Sequence, residues 1–581
     1  MTYTMRIERD VPMEMRDGTI LRADIYRPND DQQHPAILSR FMFKAFGRIF
    51  NLEIISASYA GYALVSQVCR GRGTSDGQWA GQYSASIEGM DGYDSVEWIA
   101  SQKWCDGNVG MLGYSHGGGF TWMAAMQNPP HLKAIAPWSS GVTGGQRVGV
   151  PMVSGNTIQL MNSLLWMTNE ATDVVNRLER EGHDVSEMRR ILAWAQNNPE
   201  EYFNFLPLKD MPFANFERIG QMWKWRLHGT QEAGREGEKT YEKVMVPASH
   251  LTGWYDGGGI GPVQSFKNMR KLGGTRHARE NQHLLIGPWS HAVLLNHLGD
   301  INFGSAAAVS LTGDPLPSKF ALDFFDKYLK GIDNKLPAVR YFVMNQNQWH
   351  EADDWPPQQT QWRRFFLHSQ GHANTAAGDG LLTGDEPASE PADTFVYDPL
   401  HPVPTIGGPM TSTIAGYGFV QGPLEQYHIE KRADVLCYTT PELNNDMEIT
   451  GGPLEIHIFA ATSARSTDYT AKLVDVYPDG RSHNIAEGIV RTGVLKSVEH
   501  PGSVNPAEIY EYVIGMGHTS LLFRRGHRIR IDISSSNFPL YDRNMNTGNP
   551  IGEDAKGIPA MQTIYHQSDF ASYIDLPVIS E

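Results

Sequence analysis

The stretch VGMLGYSHGGGFTWMAAM, residues 109–126, decides the fold. Val109–Leu112 is a short apolar run of the kind that forms a buried strand, and Phe120–Met126 continues as a helix. Between them stands Gly113-Tyr114-Ser115-His116-Gly117, a G-x-S-x-G. A strand, a sharp turn that exposes a serine, and a helix together make a nucleophile elbow. Its glycines are required because a side chain there collides with the neighbouring strand and helix. The turn aims the helix N-terminus at Ser115 and makes the His116 backbone N–H an oxyanion donor. The competing reading, a Gly-rich turn with an ordinary capping serine, explains the glycines but not the strand before them. No Asp, Glu, Lys or Arg occurs from Gly107 to Leu132, yet the glycines and Pro129-Pro130 argue against a membrane-spanning helix.

Outward from the elbow, strand-like and helical patterns alternate. Val11–Met15 and Ile20–Tyr26 flank Asp17-Gly18, a hairpin signal. Pro35–Ser39, Ala63–Val68 and Ala134–Trp138 read as strands, and Ser86–Ser101 as a helix. Such alternation predicts a mostly parallel, buried sheet. From about Asn156 to Trp225 the pattern is helical, which fits a cap over the active face. Strands resume at Val244–Leu251 and His283–Ile286, and Ser318–Lys330 reads as an amphipathic helix. Beyond Ala352 short strands dominate (Arg364–Leu367, Leu454–Ala460, Ala471–Tyr477, His527–Ser534), as in an all-β sandwich. Ala376–Pro391 reads as an exposed polar loop.

At 581 residues the chain is long enough for three or four units of about 100–200 residues. With 49 Lys and Arg against 65 Asp and Glu, its net charge is −16. An acidic surface argues against nucleic acid and anionic membrane as partners. Cys69, Cys105 and Cys437 are too few and scattered for a disulfide framework or a zinc cage. The N-terminus MTYTMRIERD shows no secretory pattern, and a cytoplasmic location is expected. His368 and His372 lie four apart without the Glu of a zinc-protease motif, so no metal is expected. The RGRG run at 70–73 reads as a turn at a strand end, not a phosphate loop.

A serine nucleophile needs a base, and the base needs an orienting carboxylate. Asp256 follows the run Val246–Tyr255 and precedes Gly257-Gly258-Gly259. His291 follows the strand His283–Ile286 and a Gly287-Pro288-Trp289-Ser290 turn. Position alone does not separate His291 from His250, His283 or His297.

WCDGNVGMLGYSHGG (104–118), GWYDG (253–257) and GPWSH (287–291) together resemble the bacterial cocaine esterase and X-Pro dipeptidyl-peptidase group of serine hydrolases. PMEMRDGTILRADIYRP (12–28), RGRGTSDG (70–77), DYTAKLVDVYPDGRS (468–482) and GHRIRIDISSSNFPLYDRNMNTG (526–548) extend the resemblance over nearly the whole chain. It implies an α/β-hydrolase domain (1–143 and 245–350), an inserted helical cap (144–244) and a C-terminal jelly-roll β-sandwich (351–581). It also implies Ser115 as nucleophile, Asp256 as orienting acid, His291 as general base and the His116 N–H as one oxyanion donor. The group's second donor, a tyrosine hydroxyl in an R-x-P-Y segment, meets Arg40-Phe41-Met42-Phe43 here, and Phe43 has no hydroxyl. Backbone N–H groups of the 40–44 loop are the expected substitutes. Trp166 in the cap is a candidate pocket wall.

The expected function is therefore a carboxylic ester hydrolase that needs no cofactor, forms an acyl-enzyme and takes a small or medium acyl ester. An amide or peptide hydrolase, of X-Pro dipeptidyl-peptidase or β-lactam acylase type, is the first alternative; a lapsed, non-catalytic scaffold is the second. A homo-oligomer is compatible with the sequence.

Overall fold

The apolar run before the elbow becomes a strand over Cys105–Tyr114 in the computed structural model. Residues 4–42, 55–79, 85–143, 147–149, 153–228, 238–291, 294–307, 316–410, 419–492 and 503–580 are described. That strand lies inside a ten-stranded sheet. In chain order the sheet contains β1 (Met5–Glu14), β2 (Ile20–Pro28), β3 (His34–Phe41), β4 (Ala63–Val68) and β5 (Cys105–Tyr114). It continues with β6 (Leu132–Trp138), β7 (Ala248–Tyr255), β8 (Gln282–Ser290), β9 (Val339–Val343) and β10 (Gln348–Ala352). Their spatial order is β1-β2-β4-β3-β5-β6-β7-β8-β9-β10. From β4 to β9 all neighbours are parallel, and antiparallel pairs close both edges.

A parallel sheet is covered on both faces, so its inner strands are apolar throughout. Every residue of β3, β7 and β8 is buried. Alternation sends neighbours to opposite sides. Leu38, Val65, Met111 and Ile135 pack on one face with residues of the helices Ala85–Ala100 and His116–Ala125. Ile37, Leu64, Leu112 and Ala136 pack on the other with Phe320, Phe324 and Phe325 of the helix Leu316–Leu329. Gly287–Ser290, read above as a turn, belongs to β8. It stays extended because β8 pairs with β7 through Tyr255 opposite Ser290, past a register irregularity.

Between β6 and β7 the chain forms the helices Leu160–Arg180, Ser186–Asn197, Pro199–Asn204 and Glu217–His228. The first buries Leu160, Leu164, Met167, Ala171 and Val175, spaced along one helical stripe. The helical core they build also contains Met410, Ile489, Phe538, Leu540 and Tyr541, all from the C-terminal part.

Beyond β10 the described residues form a second, almost wholly antiparallel sheet system of thirteen strands, from Thr360–His368 to Tyr573–Ile579. Its core is continuous with that of the first sheet: Trp254, Val263, Phe266 and Leu284 share a cluster with Ile456, Leu473 and Ile531. The polar stretch Ala376–Pro391 is not wholly loop. Leu381–Thr383 forms a strand against Phe366–His368, because Leu382 has an apolar interior to enter and is fully buried.

Candidate active site

Open parallel sheets place ligands at the carboxyl ends of their strands. Ser115 follows β5, Asp256 follows β7 and His291 follows β8. The parallel register sets Tyr255 beside Ser290, so the next residues of the two strands, Asp256 and His291, leave the sheet side by side. The structure brings the three residues together. His291 Nε2 lies 2.8 Å from Ser115 Oγ, and His291 Nδ1 lies 2.8 Å from Asp256 Oδ1. Asp256 and His291 are 5% and 7% exposed.

Local sequence makes the turn. A Cβ on Gly113 would stand 2.0 Å from the Gly117 carbonyl oxygen, and one on Gly118 would stand 2.6 Å from Ser140 Cβ. Ser115 itself takes φ 56° and ψ −116°, a region that L side chains avoid. Holding a non-glycine residue there costs on the order of 1–3 kcal/mol. Ser115→Gly relieves the strain and Ser115→Ala keeps it, so the glycine variant is expected to melt at the higher temperature. The reverse order in calorimetry contradicts the strain.

The carboxylate and imidazole are held by groups not singled out from sequence. Asp256 Oδ1 also accepts the Gly258 N–H at 2.8 Å, and the Thr252 hydroxyl lies 3.4 Å from Oδ2. Burial pushes the Asp256 carboxyl pKa up, but His291 and the Gly258 N–H outweigh it and hold the group below its ordinary value. The Tyr114 hydroxyl donates to the His291 carbonyl. The glycine run after Asp256 was the signal for the first of these; no local pattern marks the last.

The rival histidines are engaged elsewhere. His250 pairs with Gln282, and His283 with the Pro337 carbonyl and the Tyr328 hydroxyl. His297 is exposed in a two-residue strand. His368 pairs with Glu390 and the Asp385 carbonyl.

His116 opens the elbow helix, where first-turn N–H groups lack intrahelical partners. Its ring stacks on Trp166 at 4.2 Å and 8°. Burial, followed by the nearby Arg226, His291 and Arg72 charges, drives its imidazole well below the ordinary pKa, so it is neutral. Four residues beyond Trp166, Glu170 is fully buried and pairs with Arg72, which also pairs with Asp173. The RGRG turn does follow β4, and its second arginine ties the helix Leu160–Arg180 to the ten-stranded sheet. Phe43 and Lys44 lie outside the described residues. The strand that leads to them does approach the elbow: the Arg40 carbonyl and the Phe41 ring stand 3.1 and 3.3 Å from the Cβ position of Gly117.

Residues 17–293 match the family model of X-Pro dipeptidyl-peptidase (S15 family), and 330–575 that of the X-Pro dipeptidyl-peptidase C-terminal non-catalytic domain. The chain is 33% identical to the cocaine esterase of Rhodococcus sp. (strain MB1 Bresler), over 99% of this chain and 98% of that protein. A Mycobacterium bovis protein named as a serine esterase is 26% identical, over 90% and 84% of the two chains. Among solved structures, an aminopeptidase from a Thaumarchaeota archaeon superposes with a TM-score of 0.79 at 24% identity, covering 100% of this chain and 97% of that one. An α-amino acid ester hydrolase superposes at 0.77 and 22%, covering 99% and 97%. At these identities the structural likeness speaks for the fold.

Proposed function

This chain belongs to the cocaine esterase and X-Pro dipeptidyl-peptidase family of serine hydrolases and is a serine ester hydrolase; we propose that Ser115, His291 and Asp256 carry its reaction. The observation behind this is the relay of two 2.8 Å contacts from Ser115 through His291 to Asp256 at adjacent strand ends. Asp256 accepts the Nδ1–H and so leaves Nε2 as the acceptor facing the serine. Ser115 Oγ bonds to the acyl carbon while His291 takes its proton. His291 then gives that proton to the departing alkoxide as the ester C–O bond breaks. Water, deprotonated by the same imidazole, attacks the acyl-enzyme and releases the acid. The His116 N–H stabilises the oxyanion; a donor in such a hole is worth ~10²–10³ in rate. Acyl transfer of this kind draws on the chain's own groups and water.

The substrate class follows from the cap. A hydrolase for amino-acid esters or peptides with a free amino group needs a carboxylate available for the ammonium. Glu170 and Asp173, on the same helix as Trp166, are paired with Arg72. Arg72 and the nearby Arg226 offset those two charges, which favours an uncharged acyl group, with Trp166 and the neutral His116 as the wall beside Ser115. A panel of neutral aryl and alkyl esters, α-amino esters and dipeptidyl anilides, scored by kcat/KM, tests it. Neutral esters should lead by at least about tenfold, the discrimination available to one unpaired buried charge; an equal or better α-amino ester refutes the assignment. The three free cysteines are all buried, which supports a reducing, cytoplasmic location. Among the described residues no helix is long and apolar enough to cross a membrane.

The relay also fixes a pH dependence. Only a neutral imidazole accepts the serine proton. Asp256, held below its ordinary pKa, stays ionised and keeps its hold on Nδ1, so kcat/KM is expected to rise with pH from the acid side. A flat profile between about pH 5 and 8 contradicts His291 as base.

A further inference from the structure

The cap and the C-terminal part line a partly open cavity of about 180 Å³, remote in sequence from the catalytic residues. Leu206 and Leu208 of the cap form one wall, and Met545 and Ile551 of the C-terminal part form another. Arg491 and Arg543 supply its positive charge. The two guanidiniums differ in one respect. Arg491 is matched twice, by Asp468 at 2.8 Å and by Asp542 at 2.9 Å. Arg543 reaches only backbone carbonyls, Asn204 at 3.3 Å and Pro399 at 3.5 Å, and rests over the Phe538 ring at 4.4 Å. Among the described residues no carboxylate stands within ion-pair distance of it.

The carboxylates that line the cavity are already matched. Asp542 accepts the Ile158 N–H at 2.7 Å besides its bond from Arg491. Asp554 accepts from Thr547 at 2.5 Å and from Asn549 at 2.7 Å. Arg543 is thus the guanidinium of the lining whose hydrogen bonds go to carbonyls and not to a carboxylate. Burial is the largest influence on Arg543 and pulls its pKa down, against the smaller, opposite pull of Tyr397 and Asp542. Guanidinium–carboxylate pairs are bidentate and charge-assisted. The volume matches a ring-sized hydrocarbon body, since an apolar cavity of about 150 Å³ holds benzene.

We propose that this cavity binds a small organic carboxylate, its charge on Arg543 and its apolar body between the cap leucines and Ile551. The site is independent of the roles assigned to Ser115, Asp256 and His291. A ligand that touches both walls joins the cap to the C-terminal sheet, and it is distinct from the acyl pocket.

The test is isothermal titration of the full-length protein, with Ser115 capped by a phosphonate, against benzoate, benzamide and inorganic phosphate. Benzoate should bind one to one and at least about tenfold tighter than its neutral isostere, as a charge-assisted pair requires. Arg543→Gln should lose that advantage while esterase kcat/KM in the uncapped protein stays unchanged. Ile551→Trp, which fills the cavity and keeps the guanidinium, should lose binding too and decides the matter if the first variant fails to fold. Absence of benzoate binding, equal binding of benzamide, tighter binding of phosphate, or benzoate binding retained in Ile551→Trp each overturns the proposal.

Discussion

Ser115→Ala lowers kcat for a neutral ester by about 10⁴–10⁶-fold and leaves the fold intact, because a nucleophile and its base act as one unit. In the proposed mechanism the serine contributes the bond-forming oxygen, and among the described residues Ser115 Oγ is the hydroxyl that meets His291 Nε2, at 2.8 Å. Alanine introduces no cavity and retains the turn. Combining Ser115→Ala with His291→Ala should therefore cost little beyond either change alone, a non-additivity that unrelated contributions do not show. Turnover at even a tenth of the wild-type rate in the alanine variant removes Ser115 from the mechanism. A stopped assay paired with circular dichroism separates lost chemistry from lost fold.

The second large effect is expected from cutting the chain near residue 350. The cut deletes Met410, Ile489, Phe538, Leu540 and Tyr541 from the core under the cap helices and uncovers Trp254, Val263 and Phe266. It also removes Met410, which bridges to the backbone of Asp256. Fully burying one such side chain stabilises by about 1.5–3 kcal/mol, and a domain's net stability is only about 5–15 kcal/mol, so losing several is not tolerated. The fragment is expected in inclusion bodies. Any portion kept soluble should fall at least ~100-fold in kcat/KM, the loss that follows from displacing a catalytic group by about 1 Å. A soluble fragment with full activity shows the β-rich part to be dispensable.

The elbow was legible because its constraints are local: an apolar strand, glycines at the crowded positions and a serine between them. Asp256 and His291 were legible as strand-end residues, but their partnership is a matter of register, Tyr255 opposite Ser290, which no window of sequence displays. Resemblance to related chains singled out His291 where spacing did not. Arg72 shows the limit most clearly. It was read as part of a turn, which is its backbone role, while its side chain meets a glutamate 98 residues away. The strand Leu381–Thr383 was missed because two leucines in a polar stretch carry no periodicity, and the neighbouring strand supplied the pairing.

The apolar stripe of Leu160–Arg180 is covered in part by Phe538, Leu540 and Tyr541. Synthesis runs from the N-terminus at about 5–20 residues per second, so a ribosome that has just finished β10 needs roughly 10–40 s more to deliver those residues. Throughout that interval the nascent hydrolase half carries an open greasy face and a loosely held Asp256 loop. Chaperone demand in the cell is thus set by the order in which the chain is written. Esterase activity should emerge only after the last third of the polypeptide has left the exit tunnel.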